Sequence, residues 1–315
     1  MDFEKVVIVT QKTWLDQLIE EHNTKEQAKF YIEHMGGSFE DYFNSHYVYY
    51  NSLRHLKSVI PHQVKFQVVE KGFLPNFLFN PNDLIIVLGR DGLVINTAKY
   101  LENQIIVGVN PDPSRIDGVL LPFEVKDVEK QFKNLINNNE QITNVSMSKA
   151  EISTHQSIIG VNDLFIGHRS HQSARYQITI KGMTESHSSS GIIVSTGIGS
   201  TGWMRSILTG AMGIAGKLYD LEEFSEDGEF DVTSFKYPWN SNSLFFMVRE
   251  PYPSKITGTQ LVFGEIKQNE KLIVESNMSN GVIFSDGIEV DYLDFNSGVI
   301  AEIGIAKEKI HLLVN

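Results

Sequence analysis

Two loops in this chain combine glycines with acidic or hydroxyl side chains. The first loop, LGRDGLVIN at residues 88–96, follows an apolar run and leads into a predicted helix. The second loop, GIIVSTGIGSTGW at residues 191–203, contains a predicted strand followed by the spacing G-x-G-x-x-G. Turns between a strand and a helix can hold phosphate groups, because free backbone N–H groups and the helix dipole favour anions there.

Asp91 is the acidic residue of the first loop. The predicted strand stops at Gly89 and the predicted helix starts at Leu93, so the loop opens at the edge of a sheet, where an anionic ligand is favoured. Asp91 has two interpretations at this position. It can serve chemistry at the loop, or it can cap the helix by accepting a backbone N–H group, a bond worth about 1 kcal/mol. The local sequence leaves both interpretations open.

The second loop departs from the fingerprint of dinucleotide-dependent hydride transfer. That fingerprint lies in the first strand–helix–strand unit, with an acidic residue about 20 positions later at the end of the next strand. Gly197, Gly199 and Gly202 lie in the β-rich half of the chain, and Asp220 follows a predicted helix. Hydride transfer is therefore disfavoured. The loop does offer hydroxyl groups beside a helix start, on Ser195, Thr196, Ser200 and Thr201.

Other polar groups carry weaker signals. His168 and His171 are spaced like metal ligands, but they lack a third ligand in a recognisable pattern, so we assign no metal-binding residue. The Asn162-Asp163 pair between apolar runs is typical of a turn. The sequence SDG at residues 285–287 is typical of a hairpin turn and receives no chemical role.

The composition excludes several classes of function. The chain has 315 residues, of which 41% are hydrophobic, and this length predicts about two domains. The formal net charge of −12 disfavours nucleic-acid binding, which depends on a basic surface. The sequence contains no cysteine, which fits a reducing compartment. No run approaches the roughly 20 apolar residues of a membrane span, and the first residues do not resemble a targeting peptide. We expect a cytoplasmic protein that binds no membrane.

The first half of the sequence is predicted to be α/β with a parallel sheet. Apolar runs at residues 5–10, 83–89 and 104–110 are typical of buried strands. One helical pattern follows the first run up to Gly36, and another occupies residues 93–101. Strand, helix and strand at this spacing form a parallel crossover unit.

The second half is predicted to be mainly antiparallel and all-β, because short β-like runs alternate with turn residues. A polar helix at 126–141 leads into it. A helix at 203–219 interrupts it, with predicted inward side chains at Trp203, Ile207, Leu208, Ile214 and Leu218. Residues 1–138 are predicted to form the α/β domain. Residues 139–300 are predicted to form the β-rich domain, in which the helix and an acidic insertion together occupy 203–242. Residues 301–315 are predicted to return to the N-terminal domain.

The order of the motifs resembles the NAD kinase family of the diacylglycerol kinase-like superfamily. The motifs are GRDG, VGVNPDPSR, NDLFIGH and IVSTGIGSTGW, and they lie within about residues 83–305. Trp203 and the sequence FMVREP are most similar to the mitochondrial type. The resemblance implies an α/β domain, an antiparallel all-β domain and an active site in the interdomain cleft. It also implies phosphorylation of the adenosine-ribose 2′-hydroxyl of NAD by ATP with Mg²⁺, in a homodimer or larger homo-oligomer.

The resemblance also implies roles for individual residues. Asp91 matches the catalytic aspartate, the base that takes the proton of the attacking hydroxyl, and Gly89, Arg90 and Gly92 complete its loop near the phosphates. Asn162 and Asp163 match an Asn-Glu pair that holds the NAD nucleoside. The remaining predicted nucleotide-binding residues are Asn110, Ser195, Thr196, Ser200, Thr201, Gly202, Trp203 and Ser206.

Four residues depart from the common family pattern, and they are Arg90, Asp163, Ser190 and Ile198. Arg90 replaces a glycine, and its side chain can obstruct a nucleotide, force a strained φ or supply a cation to the phosphate donor. Asp163 replaces a glutamate and is shorter by one methylene. Two alternatives therefore stay open, a kinase of a lipid or sugar hydroxyl and a catalytically impaired nucleotide-binding homologue. The candidate phosphate contacts are Arg90, Arg115, Arg169, Arg175 and Arg205.

Overall fold

The computed structural model describes residues 3–136, 140–219 and 235–314, and the chain divides into two compact units. Unit 1 comprises Met1–Thr143 and Ile310–Asn315, and unit 2 comprises Asn144–Lys309. Residues 220–234 of the predicted acidic insertion and residues 137–139 of the predicted polar helix lie outside the described residues. Within the described ranges, no helix combines the length and apolar character that crossing a bilayer requires.

Unit 1 is an α/β unit with a parallel sheet, as predicted. Its strands are β1 (Lys5–Thr10), β2 (Lys65–Glu70), β3 (Asp83–Leu88), β4 (Ile105–Asn110) and β5 (Phe123–Glu124). Its helices are α1 (Trp14–His22), α2 (Lys25–His34), α3 (Phe39–Val59), α4 (Asp91–Ala98) and α5 (Val125–Ile136). The strands pair in the order β4-β3-β1-β2, and β5 pairs with β4. All these pairs are parallel.

The core of unit 1 fixes the ends of its strands. Val6 of β1 and Ile86 of β3 share a cluster with Leu56 of α3 and Phe132 of α5. Every residue of β3 and β4 is buried, as expected for central strands of a parallel sheet that helices cover. The residues that follow β1, β3 and β4 therefore start from a rigid edge of the sheet.

The helical pattern after β1 forms two helices where the sequence predicts one. Asn23 follows α1 in the left-handed region, with φ +67°, and the side chain of Thr24 then caps α2 by accepting the N–H of Gln27. Ser38 caps α3, a helix of 21 residues. A left-handed residue followed by a capping threonine ends one helix and starts another.

Unit 2 is built mainly from antiparallel strands, which confirms the predicted fold class. Its elements are β6 (Gln141–Ile152), β7 (Ser157–Gly160), β8 (Asp163–His168), β9 (Ala174–Ile180), β10 (Met183–Ser189), β11 (Ile192–Ser195), α6 (Trp203–Tyr219), β12 (Ser243–Val248), β13 (Phe263–Lys267), β14 (Leu272–Ser276), β15 (Gly281–Ser285), β16 (Ile288–Asp294) and β17 (Ile300–Val314). One sheet has the order β13-β12-β11-β8-β15-β16. Another set pairs in the order β10-β9-β14-β17, and β6 pairs with β7.

The sheets of unit 2 share one hydrophobic core. Ile166 of β8 and Ile192 of β11 lie in the same buried cluster as Tyr176 of β9 and Ile303 of β17. Alternate residues of β9 and β14 are buried, which is the pattern of strands with one face on a core. The ends of β8, β11 and β15 are thereby held in place.

Helix α6 packs on unit 2 through its first turns. Met204 is buried, and Ile207 and Leu208 are partly buried against the same small cluster. The predicted inward positions of Ile214 and Leu218 are wrong, because these side chains are 65% and 73% exposed. Among the described residues, that cluster includes no α6 side chain beyond Leu208.

The end of β17 belongs to unit 1. His311 and Leu312 pair in parallel with Ile105 and Ile106 of β4, and Leu313 is buried in the core of that unit. The chain thus finishes as a strand of the parallel sheet.

Candidate functional site

The loop of residues 89–92 joins β3 to α4. Arg90 is the residue before α4 and has φ −116° and ψ 166°, an extended conformation that any residue adopts, so the strained φ considered for Arg90 is not found. A Cβ atom on Gly89 would lie 2.8 Å from the side chain of Leu93, whereas one on Gly92 would meet no atom within 4 Å. A side chain at position 89 would therefore displace the end of the Leu93 side chain, whereas position 92 has room for one.

The Asp91 carboxylate lies in the first turn of α4 and is partly exposed. Its Oδ1 accepts the backbone N–H of Leu120 at 2.8 Å, and its Oδ2 accepts that of Val119 at 3.1 Å. The capping interpretation is wrong, because Asp91 lies inside α4 and these bonds go to the segment before β5. Each carboxylate oxygen can accept a further hydrogen bond, so the acid is anchored and still able to meet a ligand.

A cavity of about 360 Å³ opens beside this loop, within unit 1. Its lining combines three aromatic side chains with three cationic ones, which are Trp14, Tyr42, Tyr49, Lys12, Arg90 and Arg115. The carboxylates of Asp41 and Asp112 line the same space, so the cations outnumber the acids by one. Such local cations can attract an anion even in a protein whose net charge is −12. Lys12 is not among the site residues predicted from the sequence, although its place just after a predicted strand could have indicated it.

Tyr49 ties the walls of this cavity together. Its hydroxyl donates to the carbonyl oxygen of Leu88 at 3.1 Å and accepts the backbone N–H of Gln11 at 3.0 Å. Burial raises the pKa of Tyr49 well above its usual value, so the hydroxyl keeps its proton at neutral pH. The tyrosine of α3 therefore fixes the ends of β3 and β1 relative to each other.

Asn110, at the end of β4, organises the loop that follows. Its side-chain amide donates to the carbonyl oxygen of Ile116 at 2.8 Å, and its Oδ1 accepts the backbone N–H of Asp112 at 3.0 Å. Asn110 is 5% exposed. In this structure it shapes the loop that carries Asp112 and Arg115 to the cavity.

Asn162 and Asp163 lie at the start of β8 in unit 2. The carbonyl oxygen of Asn162 accepts the N–H of Thr196 at 2.9 Å, and the Oγ1 of Thr196 lies 3.1 Å from the same oxygen. The Oδ1 atom of Asn162 is buried and has no hydrogen-bond partner among the described residues. Asp163 is 7% exposed. Of these two residues, Asn162 offers an acceptor that a bound molecule can satisfy.

Asp286 is a residue of this region that sequence reasoning missed. The predicted hairpin turn at 285–287 is confirmed, with Asp286 and Gly287 between β15 and β16. The Asp286 carboxylate accepts backbone N–H groups of residues 161–163. No local signal reveals this contact, since the two segments are more than 120 residues apart.

The first two glycines of the G-x-G-x-x-G spacing are required by packing. A Cβ atom on Gly197 would overlap the carbonyl oxygen of Pro238, and one on Gly199 would overlap that of Asn162. Gly202 is exposed, and its nearest atom, the Gly199 oxygen, would lie 3.5 Å from a Cβ. The spacing therefore reflects close backbone approach within unit 2 at its first two glycines.

The hydroxyl groups of this loop bond within the protein. Thr196 Oγ1 donates to the Val161 carbonyl oxygen at 2.5 Å, and Ser200 Oγ donates to that of Gly197 at 2.7 Å. Ser195 and Thr201 donate to the carbonyl oxygens of Thr196 and Ile198. These residues shape the loop, and Ser195, Thr196 and Ser200 are buried.

Trp203 and Ser206 begin α6. The Trp203 ring stacks on Phe165 with centroids 5.9 Å apart, and the Arg249 guanidinium lies 5.3 Å from its centroid. Trp203 is partly exposed, and Ser206 is exposed and donates to the carbonyl oxygen of Gly202 at 3.3 Å. The exposed part of the indole provides an aromatic surface that a ligand can contact.

The candidate arginines and histidines are dispersed. Arg90 and Arg115 line the cavity of unit 1. Arg169 of unit 2 lies over the Tyr292 ring, and His168 Nδ1 accepts the backbone N–H of Ser170. In the parts of the chain that the structure describes, no three His, Asp or Glu side chains are grouped to hold a metal ion.

Comparison with known proteins identifies one curated relative at low identity. No family model matches the chain. The chain is 26% identical over 232 residues to a probable NADH kinase of Oryza sativa subsp. japonica, and the match covers 66% of this chain and 64% of the rice protein. The matched segment thus spans less than two thirds of that relative.

Two solved structures share the fold. The crystal structure of yeast NADH kinase complexed with NADH has a TM-score of 0.58 at 14% identity, covering 100% of this chain and 84% of the yeast chain. The crystal structure of an NAD kinase from Archaeoglobus fulgidus in complex with ATP has a TM-score of 0.58 at 15% identity. The match covers 99% of this chain and 93% of the chain of that kinase. The chain therefore shares the fold of these two kinases.

Proposed function

We propose that this chain is a phosphotransferase that phosphorylates the adenosine-ribose 2′-hydroxyl of NAD or NADH with ATP. The observation that carries the proposal is the position of Asp91, an anchored and partly exposed carboxylate at the strand–helix loop after β3. The similarity to the rice kinase and the shared fold support it. The mitochondrial type and a homo-oligomeric assembly are proposed on the family resemblance alone, and a cytoplasmic location is proposed on the composition.

Asp91 acts as the base in the proposed reaction. Its carboxylate takes the proton of the ribose hydroxyl as that oxygen bonds to the γ-phosphorus of ATP, and the bond from phosphorus to the β–γ bridging oxygen breaks to release ADP. Phosphoryl transfer depends mainly on alignment and charge neutralisation. The two backbone bonds to Asp91 supply alignment, because they limit the rotation of its side chain.

The cavity beside Arg90 is proposed to hold the phosphate donor. Lys12, Arg90 and Arg115 place positive charge along a space of about 360 Å³, which suits the phosphates of a nucleotide. The carboxylates of Asp41 and Asp112 also line this space and are oxygen ligands of the kind that Mg²⁺ takes. When bound, Mg²⁺ would neutralise charge on the donor. In this proposal Arg90 serves as a cation of the donor site.

The acceptor dinucleotide is proposed to contact unit 2. The buried Asn162 Oδ1 lacks a partner among the described residues, and a ribose hydroxyl or an amino group of the ligand would satisfy it. Trp203 offers a partly exposed ring beside the same loop. Asp163, Thr201, Gly202 and Ser206 complete this proposed surface.

A substrate panel tests this proposal against its alternatives. The purified protein is incubated with ATP, Mg²⁺ and, in separate reactions, NAD, NADH, a diacylglycerol in mixed micelles and a hexose. The proposal predicts phosphorylation of NAD or NADH alone. Product from the lipid or the hexose without product from the dinucleotides would identify a kinase of another hydroxyl, and dinucleotide binding without any product would identify an impaired homologue.

A further inference from the structure

The turn at Asp286 does not need a carboxylate for its own geometry. Asp286 and Gly287 have φ +55° and +70° in a two-residue hairpin turn, the signs of a type I′ turn. Lys181 and Gly182 form a turn with the same signs, φ +51° and +78°, between β9 and β10. Asparagine serves a type I′ turn at least as well as aspartate. The acidic side chain of Asp286 is therefore explained by what it contacts.

The Asp286 carboxylate binds the backbone on both sides of Asn162. Its Oδ1 accepts the N–H of Asn162 at 2.6 Å and that of Asp163 at 3.3 Å, and its Oδ2 accepts that of Val161 at 3.2 Å. The backbone N–H of Asp286 donates in return to the carbonyl oxygen of Asp163 at 3.0 Å. An ionised carboxylate only accepts hydrogen bonds, so it matches a run of three donors better than an amide does.

A second set of bonds fixes the other side of the same residue. The carbonyl oxygen of Asn162 accepts the N–H of Thr196 at 2.9 Å, and the Thr196 hydroxyl donates to the neighbouring carbonyl oxygen of Val161. With its N–H and carbonyl both held, Asn162 has little freedom except at its side chain, whose Oδ1 is buried without a partner among the described residues. The direction of this acceptor thus depends on the carboxylate of Asp286.

We propose that Asp286 is a positioning residue that holds Asn162 in the conformation that binds the dinucleotide acceptor. The inference rests on the proposed function, since it concerns the acceptor side of that reaction. Asp286 acts through the backbone of residues 161–163 and need not touch the substrate. Its loss therefore weakens acceptor binding and leaves donor binding unchanged.

Asp286→Asn is the sharpest test, because it creates the Asn-Gly sequence that a type I′ turn prefers and removes only the carboxylate. Lys181→Asn is the matched control, as it places the same residue at the corresponding position of the other turn. Amide hydrogen exchange of the unliganded proteins is expected to speed up at residues 161–163 in Asp286→Asn alone. In Asp286→Asn, the Kd for NADH, measured by fluorescence titration, and the KM for NAD are each expected to rise at least about fivefold. The KM for ATP is expected to stay unchanged.

The outcomes separate this inference from the proposed function. Wild-type affinity for NADH in a folded Asp286→Asn protein would overturn the positioning role, as would an equal rise of both KM values. A wild-type protein that neither binds nor phosphorylates the dinucleotides would refute the proposed function, and the exchange experiment would then decide by itself whether Asp286 holds the loop. Asp286→Gly, which also tolerates positive φ, replaces Asp286→Asn if the latter does not fold.

Discussion

The carboxylate of Asp91 accepts the backbone N–H of Leu120 at 2.8 Å. This bond, with that from Val119, joins the proposed base of α4 to the segment that precedes β5. The residue thus has a structural role and a proposed chemical role at once. Experiments on Asp91 must separate the two.

Asp91→Asn should lower kcat by about 100-fold or more, because an amide cannot take the proton of the attacking hydroxyl. Binding of NADH and ATP should stay measurable. Asp127→Asn is the matched control, since Asp127 also lies in the first turn of a helix and accepts a backbone N–H, that of Glu124 at 2.9 Å. Steady-state kinetics give the kcat of both variants, and thermal melting shows whether both are folded. A similar loss of kcat in both, or none in Asp91→Asn, would remove Asp91 as the base.

Gly92→Ala should reduce turnover without reducing stability. A Cβ atom at this position meets no protein atom within 4 Å, and alanine is favoured over glycine in a helix by roughly 0.5–1 kcal/mol. If the phosphates approach this backbone closely, the added methyl group displaces them and kcat falls about 10- to 100-fold. Gly213→Ala, at an equally open position in α6, is the control. Full activity of Gly92→Ala would show that no reacting group lies near Gly92.

Arg90→Glu should raise the KM for ATP at least about tenfold, because it reverses a charge in the proposed donor cavity. The KM for NAD should change little. Arg54→Glu makes the same change of charge on α3, where Arg54 is exposed and donates to Asn51. Equal effects of the two variants would mean that Arg90 acts only through the overall charge.

Glu185 should contribute stability at neutral pH that is lost in acid. Burial alone would raise the pKa of Glu185, but hydrogen bonds from the Leu261 backbone, the His187 ring and the Gln260 backbone hold it below the usual 4.5. A lowered pKa means that the contribution is present above the unfolded-state value and fades as the pH falls through the folded-state value.

Melting temperatures of the wild type and Glu185→Gln between pH 7 and pH 3 measure this effect. The wild type should melt higher at pH 7, and the difference should narrow below about pH 4.5. Glu275→Gln, which alters an exposed carboxylate of β14, should show no such trend. A difference between wild type and Glu185→Gln that stays constant across this range would contradict the assignment.

The sequence predicts the central strands of unit 1 but not its edge. β1, β3 and β4 are nearly continuous apolar runs, because helices cover both faces of a parallel sheet. β2 is exposed at its first four residues and lacks such a run, so no strand was expected at Lys65–Glu70. The periodicity of α6 likewise does not reveal that Ile214 and Leu218 lie beyond the core.

The candidate site is predictable only where its residues are neighbours in sequence. The loop around Asp91 is visible as a strand, a turn and a helix start. The contact of Asp286 with Asn162 is not, since it depends on how β15 and β8 pair. The packing need of Gly199 against Asn162 is hidden for the same reason.

The most direct test of the proposed reaction is identification of its product. Wild-type protein and Asp91→Asn are incubated with NAD, ATP and Mg²⁺, and the mixture is then read with a dehydrogenase that accepts NADP but not NAD. We expect NADP from the wild type, formed in equal amount with ADP, and at most about 1% of that rate from Asp91→Asn. Absence of NADP and NADPH from wild-type reactions with NAD and NADH, in protein shown to be folded, would contradict it.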